Sequence, residues 1–213
     1  MNRLASWLSS EEVERSRRFV FAEDRQRFVV CRGMLRWVLG TYLGLAPDEI
    51  AFEYGPRGKP RLRGFGRSCP LAFNVTHSGQ FGGIAVAPDG DVGIDIEAVR
   101  PVRHFDQMMD KTLTVAEKQY VLSLPEGDRV RAFFRYWTRK EALLKALGIW
   151  LLGPLREIDI HGIDSPDQPV GLPPSFGSGR RLFLHELDLG AKYCGAVASQ
   201  NGGPIRLLSN MPG

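Results

Sequence analysis

Two acidic residues stand two positions apart in the segment Gly93–Glu97. Apolar and acidic residues alternate there with a period of two, which predicts a β-strand. Side chains two apart on a strand share a face, so Asp95 and Glu97 point one way while Ile94 and Ile96 point the other. Two such carboxylates lie about 6.6 Å apart along the strand, and oxygen ligands of this kind suit Mg²⁺ or Mn²⁺. In isolation the pattern is more typical of a solvated acidic strand end.

A third acidic residue falls on the apolar stripe of a predicted helix over residues 129–147. Glu141 follows Trp137 by four positions and precedes Leu144 by three, so all three share one side of the helix. A carboxylate on the inward side is costly unless it is paired or bound to a metal. The alternative is a surface pair with Lys145, four residues further on. The position of the stripe favours the inward carboxylate.

Hydroxyl side chains surround a histidine where another apolar run, residues 71–75, comes to an end. Thr76 and Ser78 flank His77, and Gly79 follows. This composition predicts an anion-binding loop in which backbone N–H groups, hydroxyls and the imidazole converge. The alternative is a histidine with a purely structural role.

Basic residues could reach phosphate groups at two further places. Arg27 and Arg32 lie on a predicted helix over residues 23–43, and the planar guanidinium is suited to phosphate. A solvated basic face is the alternative for most arginines of that helix. In the loop 55–60, Lys59 stands beside glycine, whose backbone permits close approach of a ligand. An ordinary hairpin turn is the alternative there.

Composition narrows the class of protein. The chain has 213 residues, a formal net charge of +4, 43% hydrophobic and 24% charged residues, which are ordinary values for a soluble globular protein of one domain or two small ones. The positive charge favours an acidic partner, which could be a nucleic acid, a phosphorylated ligand or an acidic protein.

The cysteines and the apolar runs indicate a cytoplasmic protein. Cys31, Cys69 and Cys194 are odd in number and far apart, which argues against a disulfide framework or a zinc site and fits a reducing compartment. The N-terminus has no apolar core of a signal peptide. Nor does any apolar run approach the roughly 20 residues of a membrane span.

The order of the predicted elements indicates an α+β fold. Each half of the chain has one long helix followed by a few antiparallel strands, which predicts two similar lobes in a pseudo-twofold arrangement, residues 1–100 and 101–199. The tail, residues 200–213, is predicted to be disordered. Shorter helices begin after Ser9 or Ser10 and after Thr114, which opens a capping box with Glu117. The predicted strands are 50–54, 71–75, 81–87, 92–97, 155–160, 182–187 and 193–198.

Taken together, these segments resemble the 4′-phosphopantetheinyl transferases of the surfactin-synthetase-activating (Sfp) type. Three motifs carry the resemblance, which spans most of the chain from about residue 15 to residue 198. They are Gly58-Lys59-Pro60, then Phe73-Asn74-Val75-Thr76-His77-Ser78-Gly79 with Gly93-Ile94-Asp95-Ile96-Glu97, and Phe134-x-x-Trp137-Thr138-Arg139-Lys140-Glu141-Ala142-Leu143-Leu144-Lys145.

The resemblance implies a role for each matching residue. Asp95, Glu97 and Glu141 would ligate Mg²⁺, with Mn²⁺ as an alternative. Glu141, Lys145 and His77 would be catalytic, with Glu141 taking a proton directly or through a water. Coenzyme A would be bound by Arg27, Arg32, Lys59, Pro60, Thr76, His77 and Lys145.

The resemblance also implies the reaction and its partners. The phosphopantetheine arm of coenzyme A would pass to a serine of an acidic acyl or peptidyl carrier protein, with release of 3′,5′-ADP. Because both lobes belong to one chain, the site could form within a monomer. Neither nucleic acid nor a membrane is an expected partner. Secondary-metabolite synthesis is the expected setting.

Two other functions fit parts of the sequence. A metal-dependent nuclease could also use Asp95, Glu97, Glu141 and Lys145, and would cut nucleic acid while ignoring coenzyme A. A non-catalytic nucleic-acid-binding module would rest on the net charge alone, and its binding would depend steeply on salt. The inward Glu141 and the His77 segment have no role in this second alternative.

Overall fold

The computed structural model describes residues 2–54, 60–64, 69, 71–149, 155–163, 165–176 and 179–208. Its long helices and small antiparallel sheets confirm the α+β class. The chain forms two compact units, Met1–Pro70 and Leu71–Gly213. The prediction of two similar lobes divided at residue 100 stays a prediction, because a division into compact units does not test whether the halves are alike. The disordered tail also stays a prediction.

The first unit is built around one long helix. Its elements are α1 (Asn2–Ser6), α2 (Ser10–Arg17), α3 (Ala22–Leu43) and a hairpin of β1 (Phe52–Tyr54) and β2 (Pro60–Leu62). The predicted helix start is confirmed, since Ser9 caps α2 and exchanges hydrogen bonds with Glu12 in a capping box. Gly44, at φ +68°, ends α3 in the left-handed conformation that glycine adopts readily.

One arginine of α3 has a structural role. The Arg36 side chain is buried and donates from Nε to Glu12 Oε2 at 2.8 Å and from Nη1 to the Ile50 carbonyl at 2.6 Å. The pair joins α2, α3 and the start of the hairpin. Arg36 is therefore an exception to the solvated basic face expected for this helix.

The described part of the second unit contains two antiparallel sheets. Their strands are β3 (Ala72–Ser78), β4 (Phe81–Ala87), β5 (Val92–Ala98), β6 (Pro169–Val170), β7 (Leu182–Glu186) and β8 (Tyr193–Ser199). The seven-residue strands β3 and β4 form a hairpin, and the other four strands form a sheet in the order β5-β8-β7-β6. Residues of β3 and β4 pack against β5.

Among the described residues of the second unit there are three α-helices, and the longest covers the four-stranded sheet. They are α4 (Phe105–Thr112), α5 (Val115–Ser123) and α6 (Glu126–Leu147). α6 packs on β5 and β8, and its apolar side joins the main core of this unit. The predicted capping box of Thr114 and Glu117 at the start of α5 is confirmed.

Two sequence expectations about these elements are wrong. Residues 76–78 form the end of β3 rather than a loop, because Thr76 and His77 pair with Gly83 and Gly82 of β4. Anion binding by these residues stays a prediction. The predicted strand 155–160 is a short 3-10 turn, Leu155–Glu157, followed by irregular chain. The Ile160 N–H is bound there by the Glu117 carboxylate instead of a neighbouring strand.

Among the described residues, no helix is long and apolar enough to cross a lipid bilayer.

Candidate active site

Asp95 stands at the centre of a polar cluster inside the second unit. It lies mid-strand in β5 and is only 5% exposed. Its Oδ1 accepts hydrogen bonds from Lys145 Nζ at 2.7 Å and from Thr76 Oγ1 at 3.3 Å. Three elements, β3, β5 and α6, therefore meet at one carboxylate oxygen.

Glu141 points inward from α6, as the apolar stripe predicts. It is 5% exposed, and on the next turn Lys145 Nζ also donates to the Ile94 carbonyl at 3.1 Å and to Thr76 Oγ1 at 3.2 Å. The ammonium group of Lys145 thus bridges the helix to both strands. Lys145 forms its ion pair with Asp95 on the facing strand, so the surface pair with Glu141 is not the main contact of this lysine.

Gly93 allows α6 to approach β5 so closely. A Cβ atom at this position would lie 2.1 Å from the Ala142 carbonyl oxygen and 2.4 Å from the Ala146 nitrogen. Both neighbours are helix backbone atoms, which cannot move aside as a flexible side chain can. The glycine of the Gly-Ile-Asp-Ile-Glu motif therefore sets the distance between Asp95 and the residues of α6.

Each of the two buried carboxylates keeps one oxygen unsatisfied. Asp95 Oδ2 and Glu141 Oε1 are buried without a hydrogen-bond partner in the part of the chain that the structure describes. Such groups are rare in folded proteins, and a bound ion or water commonly satisfies them. Two carboxylate oxygens free to bind a cation fit the donor set of Mg²⁺ or Mn²⁺.

The protonation of these carboxyl groups reflects the same burial. Burial raises the pKa of Asp95 to about 6, with Lys145 opposing the shift and the charge of Glu97 adding to it. Burial also raises the pKa of Glu141 to about 7, the charges of Asp95 and Glu97 add to it, and Lys145 opposes it. A cation between the carboxylates would relieve the repulsion and favour their charged forms.

Glu97 shares the face of Asp95 but has a different environment. It is partly exposed, and its Oε2 accepts a hydrogen bond from Ser78 Oγ at 2.8 Å. Ser78 also accepts one from the Ala98 N–H at 3.1 Å. Within the described ranges, His, Cys, Asp and Glu side chains nowhere form a ready cluster of three metal ligands. The role of Glu97 as a third ligand remains a prediction.

His77 lies apart from the carboxylates. Side chains alternate along β3, so His77 occupies the opposite face from Thr76 and Ser78, and it is exposed. The turn after it is fixed by Tyr193, whose hydroxyl accepts a hydrogen bond from the Gln80 N–H at 3.3 Å. Nothing in the sequence links Tyr193 to this turn, because the two residues lie far apart in the chain.

The predicted coenzyme A residues of the first unit have varied contacts. Arg27 Nη1 bonds to Asp24 at 3.0 Å on the surface of α3. Arg32 Nε lies 3.5 Å from Glu12, while its Nη1 is buried with no hydrogen-bond partner among the described residues. Pro60 begins β2, and Lys59 lies outside the described residues.

A cavity of about 820 Å³ opens in the first unit. Its walls combine basic side chains and aromatic rings, which could hold a phosphorylated, ring-bearing ligand. Acidic residues of α2 and of the following segments also line it. The basic and aromatic lining residues are Arg15, Arg18, Arg36, Arg63, Phe19, Phe52 and Tyr54. The sequence did not single out Arg15, Arg18 or Arg63.

Two family models together cover nearly the whole chain. The 4′-phosphopantetheinyl transferase superfamily matches residues 91–198, and the N-terminal region of 4′-phosphopantetheinyl transferases matches residues 1–89. The chain belongs to the 4′-phosphopantetheinyl transferase superfamily. It is an enzyme, and transfer of the phosphopantetheine arm from coenzyme A to a carrier protein is the general activity of the family.

Individual transferases are similar over much of their length. The 4′-phosphopantetheinyl transferase HetI of Nostoc sp. is 41% identical over 169 residues, which is 79% of this chain and 70% of HetI. A Synechocystis sp. protein provisionally given the same enzyme name is 38% identical over 151 residues, 71% of this chain and 61% of that protein. The L-aminoadipate-semialdehyde dehydrogenase-phosphopantetheinyl transferase of Xenopus laevis is 31% identical over 172 residues, 74% of this chain and 57% of that protein.

These matches confirm that the sequence motifs belong to a 4′-phosphopantetheinyl transferase. They also decide between the functions that the sequence left open, in favour of the transferase over the nuclease and the nucleic-acid-binding module.

Proposed function

We propose that this chain is an Sfp-type 4′-phosphopantetheinyl transferase that needs Mg²⁺ and modifies a serine of an acyl or peptidyl carrier protein. The observation that carries the proposal is the pair of buried, unsatisfied oxygens, Asp95 Oδ2 and Glu141 Oε1, beside the Lys145 ammonium. A phosphoryl transfer depends on neutralising charge and on positioning more than on covalent help from the protein. The three side chains supply both.

Asp95 and Glu141 would hold the metal. Glu97 would be the third ligand, although its Oε2 also accepts the hydrogen bond from Ser78. Bound Mg²⁺, or Mn²⁺, supplies positive charge for the pyrophosphate of coenzyme A. Thr76 Oγ1, which already bonds to Asp95 and Lys145, orients both groups. Each ligand sits on a strand or a helix rather than on a loop, which favours a fixed geometry.

The transfer step divides between Glu141 and Lys145. The serine oxygen of the carrier attacks the phosphorus that bears the pantetheine arm, and the bond from this phosphorus to the bridging oxygen of 3′,5′-ADP breaks. Glu141 takes the serine proton, directly or through a water, as the general base. Lys145 offsets the charge that develops on the departing ADP.

The contacts to coenzyme A follow from the resemblance. Lys59 would meet the nucleotide end, with Arg27 or Arg32 helping, and Pro60 beside it would also belong to the binding residues. His77, with Thr76 beside it, would contact the phosphates.

The cavity of the first unit would bind a phosphorylated, ring-bearing ligand. Its arginines suit a phosphate group, and Phe19, Phe52 and Tyr54 suit a ring.

The partners follow from the same proposal. An acidic carrier protein suits a chain with a net charge of +4. The enzyme would act as a monomer in the cytoplasm and serve secondary-metabolite synthesis.

Intact mass spectrometry of carrier proteins tests the proposal. Acyl and peptidyl carriers are incubated with the enzyme, coenzyme A and Mg²⁺, and we expect a gain of one phosphopantetheine arm with equimolar 3′,5′-ADP. A carrier whose serine is replaced by Ala should gain nothing. If no carrier gains mass while nucleic acid is cut with Mg²⁺, the proposal is wrong and the nuclease alternative returns.

A further inference from the structure

A second ion pair lies buried next to the candidate site, and the proposed chemistry does not use it. Lys140 precedes Glu141 on α6, and its Nζ lies 2.5 Å from Glu117 Oε2 of α5. Neither side chain has any exposed surface. The pair is enclosed by the main apolar core, which includes Met109, Leu143 and Ile158.

Every polar atom of this pair has a partner. Lys140 Nζ also donates to the carbonyls of Thr112 at 2.8 Å and Leu155 at 3.0 Å, which uses all three ammonium protons. Glu117 accepts from the Thr114 N–H at 2.8 Å through Oε2 and from the Ile160 N–H at 3.0 Å through Oε1. The pair therefore joins the end of α4, the start of α5, the middle of α6 and the segment 155–160.

Stability alone is a weak reason to bury such a pair. Removing two charges from water is costly, and apolar residues of similar volume often replace a buried ion pair without loss of stability. What apolar residues cannot reproduce is direction, because hydrogen bonds fix angles that apolar contacts leave free.

The direction that this pair fixes is the rotation of α6 about its axis. Adjacent residues on a helix differ by about 100°, so anchoring Lys140 determines where Glu141 points. Lys145 and its 2.7 Å contact with Asp95 depend on the same rotation. At Gly93 the helix backbone lies so close to β5 that even a Cβ atom would overlap it. The distance between α6 and β5 is thus set by this contact, and the rotation of α6 about its own axis needs a separate constraint.

We propose that the Lys140–Glu117 pair is a positioning device that sets the rotation of α6 and holds the Glu141 carboxylate against Asp95. Its effect on catalysis rests on the proposed function, whereas its effect on metal affinity does not require a carrier. Lys140 and Glu117 are positioning residues, since neither touches the reacting groups.

A double substitution tests this role. Lys140→Met with Glu117→Leu removes both charges at similar volume, whereas either change alone would leave a buried charge unpaired. Thermal unfolding checks that the variant folds. The affinity for Mn²⁺, titrated against the enzyme and followed by electron paramagnetic resonance of the free ion, is measured with competition by Mg²⁺. Transfer kinetics give kcat and the KM for coenzyme A.

We expect a folded double variant whose metal affinity falls about 10- to 100-fold, the range found for residues that orient metal ligands. Its kcat should fall by a similar factor, and the KM for coenzyme A should stay within about twofold of wild type. The matched control is Arg135→Gln with Glu186→Gln, which removes an exposed ion pair between α6 and β7. This control should leave metal affinity and kcat unchanged.

Two outcomes would overturn the proposal or the function beneath it. A folded double variant with wild-type metal affinity and kcat shows that the pair is merely structural. A wild-type enzyme that neither binds Mn²⁺ nor transfers the arm contradicts the proposed function instead. If the double variant does not fold, Lys140→Met with Glu117→Gln replaces it with the same two readouts. This variant also removes both charges, and glutamine keeps the volume and one acceptor oxygen.

Discussion

Asp95 and Glu141 hold their protons more tightly than ordinary carboxyl groups, because burial raises both pKa values and the charge of Glu97 adds to each shift. A folded acid with a raised pKa binds more protons than the unfolded chain between its two pKa values. The free energy of unfolding therefore falls as the pH rises through that window. For Glu141 the window runs from 4.5 to about 7.

We predict that the metal-free enzyme is less stable at pH 7.5 than at pH 5.5, by about 2 kcal/mol from Glu141 alone. Mg²⁺ should raise the Tm more at pH 7.5 than at pH 5.5, since it binds the charged carboxylates. Thermal unfolding with and without Mg²⁺ measures both effects. In Glu141→Gln the decrease in stability from pH 5.5 to pH 7.5 should be smaller than in wild type. An equal decrease would show that Glu141 is not the group responsible.

A second residue-scale prediction ranks the two acids of β5. Asp95 keeps an unsatisfied buried oxygen, whereas Glu97 is partly exposed and already bonded to Ser78. Asp95→Asn should lower the Mn²⁺ affinity at least about 100-fold, and Glu97→Gln less than about 10-fold. Isothermal titration with Mn²⁺ compares the two variants. Equal losses in both variants would show that Glu97 is a full ligand.

Sequence reasoning reached some of these residues and missed others. The period of two placed Asp95 and Glu97 on one face, and the apolar stripe turned Glu141 inward, as the structure confirms. The structure alone shows the bond of Ser78 to Glu97, the bond of Gln80 to Tyr193 and the Lys140–Glu117 pair. The partners in these contacts lie 19, 113 and 23 residues apart in the chain, so no local pattern could identify them.

At the scale of elements, the crossing of α6 over β5 depends on one missing side chain. We predict that Gly93→Ala lowers the Tm by at least about 5 °C and abolishes transfer, because its Cβ would overlap helix backbone at Ala142 and Ala146. Thermal unfolding and the mass assay measure the two effects.

Gly127 provides the matched control for that substitution. It lies in the first turn of α6, and a Cβ there would meet nothing within 4 Å. Gly127→Ala should stabilise the enzyme by about 0.5 to 1 kcal/mol through helix propensity, with full activity. If Gly93→Ala behaved in the same way, the close approach would not be a requirement.

Element types followed from the sequence wherever the hydrogen bonds are local. The sequence predicts both long helices, the helix start at Ser9 or Ser10 and the capping box of Thr114, because their signals lie within a few residues. It also predicts a strand over 155–160, yet Lys140 and Glu117 bind the carbonyl and N–H groups of this segment. The hydroxyls around His77 and the glycine after it predict a loop, yet the end of β3 pairs with Gly82 and Gly83 of β4.

At the scale of the whole molecule, net charge should govern the association of the enzyme with its carrier protein. With a net charge of +4 on the enzyme, attraction to an acidic carrier is screened as salt shortens the Debye length from about 10 Å at 0.1 M. We predict that the KM for the carrier rises severalfold between about 0.05 and 0.3 M NaCl, while kcat changes little. Steady-state kinetics with saturating coenzyme A measure both, and a KM independent of salt would contradict this account.

The central claim is that Asp95 and Glu141 together provide the metal site on which transfer depends. Its most direct test is the rate of mass gain of a carrier protein with coenzyme A and Mg²⁺, measured for Asp95→Asn, Glu141→Gln and the control Asp91→Asn. Asp91 is a partly exposed acid two residues before Gly93, paired with Arg180 at 3.5 Å. We expect wild type and Asp91→Asn to add one arm per carrier, and both site variants to fall below about 1% of that rate. Transfer at the wild-type rate by either site variant, or by wild type in excess chelator, would contradict the claim.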